Sequence, residues 1–168
     1  TDVVESASGA SEALVKISTP IRSMPGINDD VLMTTPIHSV FAMMADTFDR
    51  DDWRYIATDG VQGSPPTYRS VELPVSKLAI MRSDWTNNAR WLFFNVSPDS
   101  GHHHPDTLSV QFYADTRRLL IDPGCGFYGT HDRTLSQQRW WHNCPSFGPT
   151  DGVKSNPQML HFATTENL

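Results

Sequence analysis

The chain has 168 residues, with 13 lysines and arginines against 19 aspartates and glutamates, a formal charge of −6, 38% apolar residues and two cysteines. That composition excludes global disorder and a disulfide-framework miniprotein. No apolar run approaches the length of a membrane-spanning helix, and the acidic balance argues against a general nucleic-acid binder. The charge is uneven. Residues 1–76 hold 5 basic and 11 acidic residues, residues 77–168 hold 8 of each, and six of the seven histidines lie in the second stretch. Such a shift suggests two structural units.

The first stretch reads as helical. Ala13, Leu14 and Ile17 form a short apolar face at helical spacing, which Pro20, Pro25 and Gly26 then interrupt. A second helix is expected from Thr35 and Pro36, the threonine capping and the proline occupying the first helical position. Ile37, Val40, Phe41, Met44 and Phe48 follow at steps of three and four, which is the pattern of a buried face. Asp49 or Asp51 is positioned to cap a further short helix through Trp53, Tyr55 and Ile56. Residues 59–70 contain Gly60, Gly63, Pro65 and Pro66, a mixture hostile to helix and central strand alike.

The second stretch reads as β. Lys77–Trp85 alternates in part. Trp91–Val96, WLFFNV, suits a strand buried on both faces. Leu108, Val110 and Phe112 alternate with polar residues, Asp115-Thr116 permits a tight turn, and Arg118–Ile121 returns as a partner strand. Met159–Ala163 is a further strand candidate. Strands without intervening helices favour an antiparallel sandwich. The expected organisation is therefore a helical segment over 1–58, a linker over 59–76 and an antiparallel β domain over 77–168. The chain has no initiator methionine and stops soon after an expected strand, so it is expected to be part of a longer protein. The missing targeting signal then says nothing about localisation.

The segment Gly101-His102-His103-His104-Pro105-Asp106 carries the chemistry. On an extended backbone His102, His104 and Asp106 share one side and His103 faces away. Two imidazoles and a carboxylate near one point suit metal binding or acid–base work. The proposed hairpin brings Asp122 back toward these histidines, and Trp140-Trp141-His142-Asn143 supplies another imidazole. His104, Asp122 and His142 are three ligand types that zinc accepts, with a fourth position left for water. The residues leave a plainer reading open: Asp122 as a turn residue before Pro-Gly, and His142 as a hydrogen-bonded core histidine.

The segments MRSDW (81–85), GHHHPD (101–106), LLIDPG (119–124) with Tyr128, and WWHN (140–143) occur in an order that resembles the heparinase II/III-like polysaccharide lyases. MPGINDD (24–30) and the helix that follows resemble the last helices of the family's toroid. The resemblance implies an α+β fragment: the C-terminal helices of an α/α toroid followed by an antiparallel β-sandwich. It implies β-elimination on a uronic-acid-containing polysaccharide, and a periplasmic or secreted location. His104, Asp122 and His142 match positions that bind a divalent ion, Zn2+ by type, in a structural role. His102 matches a histidine facing the sugar cleft and Tyr128 a tyrosine near it, which makes them the catalytic candidates. Arg139, Trp141 and Asn143 are candidate sugar contacts. The family's further Asn, His and Tyr groups sit on toroid helices that this chain does not contain, so the isolated piece is expected to be inactive.

Arg117, Arg118, Arg133 and Arg139 are available to grip carboxylates or sulfates in bidentate fashion, but the absence of a dense basic cluster argues against a heavily sulfated chain. Cys125 and Cys144 follow two of the expected ligands closely. Should the ligands converge, a disulfide is one outcome and two buried thiols the other. The sequon Asn95-Val96-Ser97 falls in a buried-looking strand and is discounted as a glycosylation site. Two competing readings are a metal-stabilised sandwich that binds polysaccharide without cleaving it, and a cupin-like metalloenzyme built on His102, His104 and a carboxylate.

Overall fold

The computed structural model describes residues 2–27, 36–98, 105–126, 129–146 and 157–164. The chain opens with α1, Val3–Ile17, longer than the short apolar face of its last turns predicts. The Asp2 side chain accepts from Val4 N at 3.1 Å, satisfying one of the free donors of the first turn. Helix α2, His38–Phe48, begins later than expected. Ile37 holds the cap position with no side-chain bond, Pro36 lies outside the helix, and Thr35 lies outside the described residues. The apolar stripe behaves as its spacing requires: Phe41 and Met44 are buried, with Ile37, Val40 and Phe48 packed against the same cluster. Asp49 ends α2 in the left-handed region with φ 49°. Helix α3, Asp51–Ala57, then starts without a side-chain cap, with Asp51 and Asp52 in its first turn, where negative charge complements the helix dipole.

The expected linker is irregular only as far as Ser70. Beyond it Val71–Leu73 forms β1, a three-residue edge strand too short to show a period. Strands β2 (Leu78–Arg82), β3 (Trp91–Asn95), β4 (Val110–Ala114) and β5 (Arg117–Leu120) complete a five-stranded antiparallel sheet in the order β1-β2-β3-β4-β5. The hairpin between β4 and β5 turns at Asp115 and Thr116, both left-handed with φ 51° and 61°, as a two-residue hairpin turn requires. Residues 157–164 pair with no strand, so the strand expected at Met159–Ala163 is not formed.

Register decides which side chains meet. Ile80 opposes Phe93, Arg82 opposes Trp91, and Trp91 opposes Tyr113, which puts these residues on one face. That face is closed by Ile17, Ile21 and Ile27 from the helical end of the chain. Each fully buried large apolar side chain contributes about 1.5–3 kcal/mol. On the other face Met81, Leu92, Phe112 and Leu120 line up across β2 to β5 and stay partly exposed. Strand β3 is therefore buried on one face and only half-covered on the other, against the expectation of two buried faces. Its partly covered face is the layer onto which a second sheet packs in a β-sandwich. The architecture is helices followed by antiparallel β, as expected.

Candidate functional site

Asp122 and His142 meet in the structure although 20 residues separate them. The imidazole Nδ1 lies 3.0 and 2.9 Å from the two carboxylate oxygens, and Nε2 lies 3.0 Å from the Ser136 carbonyl oxygen. Both side chains are withdrawn from solvent, at 0% and 2% exposure. Asp122 Oδ1 also accepts from Gly124 N at 2.9 Å, so the aspartate is at once a turn residue and the partner of His142. Burial works against the imidazolium. The hydrogen bond and charge of Asp122, the charge of buried Asp106 and the Ser136 carbonyl together outweigh it, and His142 titrates above its ordinary value.

Neighbouring elements hold this pair from several sides. Helix α4, His131–Ser136, delivers the Ser136 carbonyl. The Ser136 hydroxyl donates to Arg133 O at 2.9 Å and accepts from Gly126 N at 3.1 Å. A Cβ at Gly126 would come within 2.4 Å of the Asp132 backbone, so only glycine allows the 122–126 turn to lie this close to α4. On the opposite side the backbone of Gly26 packs against Asp122, and Gln111 from β4 donates to Gly26 O at 2.6 Å. A short 3-10 helix, Arg139–Trp141, sets the direction of His142.

The other expected site residues divide. Arg139 donates to Pro145 O at 2.7 Å and to Thr107 O at 2.9 Å, bracing the loop before β4. Asn143 donates to Ile121 O at 2.5 Å and its carbonyl accepts from Val110 N, tying the segment to both strands of the hairpin. Trp141 is half-buried beneath Trp140, edge-to-face at 5.9 Å, and Trp140 is the exposed ring at 57%. Of the four arginines considered as anion grips, Arg133 is buried, Arg118 lies over the Tyr113 ring, and Arg117 is exposed on β5. His102, His104 and Tyr128 lie outside the described residues. Cys125 and Cys144 are half-buried thiols and form no disulfide with each other. Asn95 is fully buried, its Oδ1 accepting from Ser97, which agrees with discounting the sequon.

The pair suits a metal ion. Nε2 faces the Ser136 carbonyl oxygen, and an outer hydrogen bond of this kind is the usual way a ligating histidine is oriented. Among the described residues no three His, Cys, Asp or Glu side chains converge as ligands. The sequence signals for this site were Asp122 and His142 themselves. Ser136, Gly26 and Gln111 act through a carbonyl and hydroxyl, a close backbone approach and a side-chain amide bonded to backbone, and no local sequence pattern marks these contacts.

Comparison with known proteins gives three findings. Residues 65–144 match the family model described as Heparinase II/III-like, C-terminal. The heparin-sulfate lyase of Pedobacter heparinus is 27% identical over 132 residues, which is 77% of this chain and 20% of that protein. The crystal structure of the heparan sulfate lyase HepC from the same organism superposes with a TM-score of 0.71 at 26% identity, over 82% of this chain and 22% of that one. A heparinase III crystal structure gives 0.78 at 20% identity over 92% of this chain and 28% of that one, a likeness of fold.

Proposed function

From the match of residues 65–144 to the Heparinase II/III-like, C-terminal family model, we propose that the protein containing this chain is a polysaccharide lyase that cleaves an acidic, uronate-containing polysaccharide of the heparan type by β-elimination. The observation that carries the reading is the buried Asp122–His142 pair, at 2.9 Å between segments that both bear family motifs. The chain spans about a fifth of the curated relative it matches, so the activity proposed is that of the whole protein.

Elimination removes the proton at C5 of the uronate and expels the oxygen at C4, leaving a C4–C5 double bond. The C5 proton is weakly acidic while the sugar carboxylate is fully charged, so a donor must take up charge as it develops there. His102 is assigned to proton transfer at C5, and Tyr128 to protonating the leaving oxygen. Arg139, Trp141 and Asn143 are proposed to border the sugar, their present backbone contacts fixing where they stand. A divalent ion, Zn2+ by ligand type, is assigned to His104, Asp122 and His142. When bound, the ion supplies a structural cross-link among three loops. Holding His104 is proposed to steady His102 as well, two residues earlier in the sequence.

A periplasmic or secreted location is proposed from the family resemblance alone. No described helix is long and apolar enough to cross a membrane.

The intact protein, incubated with heparan-type polysaccharide, is expected to generate the ultraviolet absorbance of an unsaturated uronate, whereas the 168-residue piece alone is expected to generate none. New reducing ends without that absorbance would mean hydrolysis and would overturn the assignment.

A further inference from the structure

The MRSDW motif takes no part in the site just described, yet its arginine and tryptophan are buried where the helices meet the sheet. Arg82, on β2, is 5% exposed and faces away from the open side of the sheet. Its Nη2 donates to Lys16 O and Ser18 O, both at 2.9 Å, at the carboxyl end of α1. A cation there satisfies terminal carbonyls and complements the helix dipole. The guanidinium stacks over Trp85 at 3.6 Å. Trp85 follows β2 in sequence but is buried in the cluster formed by α1, α2 and α3, and its Nε1 donates to Tyr68 O at 2.6 Å. The Trp85 carbonyl in turn accepts from Arg22 Nη2 at 2.8 Å.

Arg22 is the second pin. It is 1% exposed and sits in the left-handed region with φ 60°. Its Nε reaches Asp59 at 3.2 Å, its carbonyl accepts from Ile37 N at 2.8 Å, and Asp59 also meets His38 Nε2 at 2.9 Å. Two arginines from different segments thus join α1, the start of α2, the turn after α3 and β2.

Energy alone does not account for this arrangement. Arg22 has one carboxylate partner, Asp59, which is 37% exposed, and the Arg82 guanidinium bonds only to backbone carbonyls among the described residues. Arg82 Nε and Arg22 Nη1 are buried with no hydrogen-bond partner. Buried charges with incomplete partners are poor stabilisers, and an apolar junction of equal volume would hold as well. What the pair supplies is a fixed angle, because planar forks bonded to backbone carbonyls tolerate little rotation.

We propose that Arg82 and Arg22, with Trp85 between them, are positioning residues of the lyase: they pin the helical segment to the sheet, so that groups on the helical side and the histidines on the sheet side face the same sugar. This rests on the proposed function, in which the resemblance puts catalytic groups on both sides of the cleft. An error of about 1 Å between reacting groups costs up to about 100-fold in rate.

The test uses the intact enzyme, its Arg82→Met and Arg22→Met variants, and dyes attached by non-cysteine chemistry at positions 6 and 117, both exposed. Energy transfer between the dyes reads the angle directly. The expected result is a broadened or shifted distance distribution in both variants, with kcat lower by about 10-fold or more and KM changed by less than about threefold. Should Arg82→Met fail to fold, Arg82→Lys keeps a donor but loses the stacked fork, and a smaller shift in the same direction is expected. An unchanged distribution overturns the proposal, as does a changed one with kcat intact. A parent enzyme without lyase activity would refute the proposed function instead, and the dye distances would still decide whether the arginines set the angle.

Discussion

Replacing Asp122 by alanine is expected to destabilise the chain by about 3–5 kcal/mol, the usual consequence of removing one partner from a buried ion pair. The substitution takes both carboxylate oxygens away from His142 Nδ1 in a site closed to solvent, while Nε2 is still held by the Ser136 carbonyl. It also removes the acceptor of Gly124 N, so the turn that lies against α4 loses its lock. Urea denaturation of the metal-free chain measures the effect. A pH series then separates the charge from the packing. His142 titrates above its ordinary value in the fold because its acceptors outweigh the cost of burial. A raised folded value means that the pair's stabilisation is fully present below about pH 6.5, the unfolded value, and is lost as pH rises through the folded one. The parent is therefore expected to lose stability over that rise, and Asp122→Ala to lose much less. A variant as stable as the parent, with the same pH profile, would show that the contact is incidental.

The second large effect is on rate. His102→Ala in the intact enzyme is expected to lower kcat by about 100- to 10,000-fold, the range for removing a positioned proton-transfer group. Binding should suffer less, so KM should move far less than kcat. The urea midpoint should stay near that of the parent, because the assigned role of His102 is chemical. His104 is the useful contrast: its loss is expected to reduce stability and metal content along with rate. A His102→Ala enzyme with near-parental turnover would remove this residue from the chemistry.

The elements that could be read in the sequence are those with a strong local period or a long apolar run. The α2 stripe from Ile37 to Phe48 and the WLFFN core of β3 declare themselves because burial selects their spacing. The Asp115-Thr116 turn was readable because it joins an alternating run to a second strand-like run. Short elements were not. Three residues of β1 and six of α4 carry too few positions for a period, and both owe their form to what they pack against. Met159–Ala163 shows the converse, since strand-like residues form a ladder only where a neighbour offers free backbone groups.

The site followed the same division. Asp122 and His142 were visible as residue types and turned out to be partners. The hairpin explains the position of Asp122, while His142 arrives through α4 and the 3-10 helix, which no pattern announced. Arg139 and Asn143 were visible too, but their hydrogen bonds to Pro145, Thr107 and Ile121 depend on a tertiary arrangement that spacing does not encode. Arg82 enters the sequence reading only as a letter of the MRSDW motif, and its burial across the helix–sheet junction comes from tertiary contacts that the motif does not encode.

Titrating the metal-free chain with Zn2+ in a calorimeter tests the account most directly. Uptake of a single ion per chain is expected, accompanied by proton release because His142 must give up its Nδ1 proton to bind it. Asp122→Ala and His142→Ala should abolish that uptake. Failure of the parent chain to take up zinc, or equal uptake by both variants, would contradict the assignment of His104, Asp122 and His142 as one metal centre.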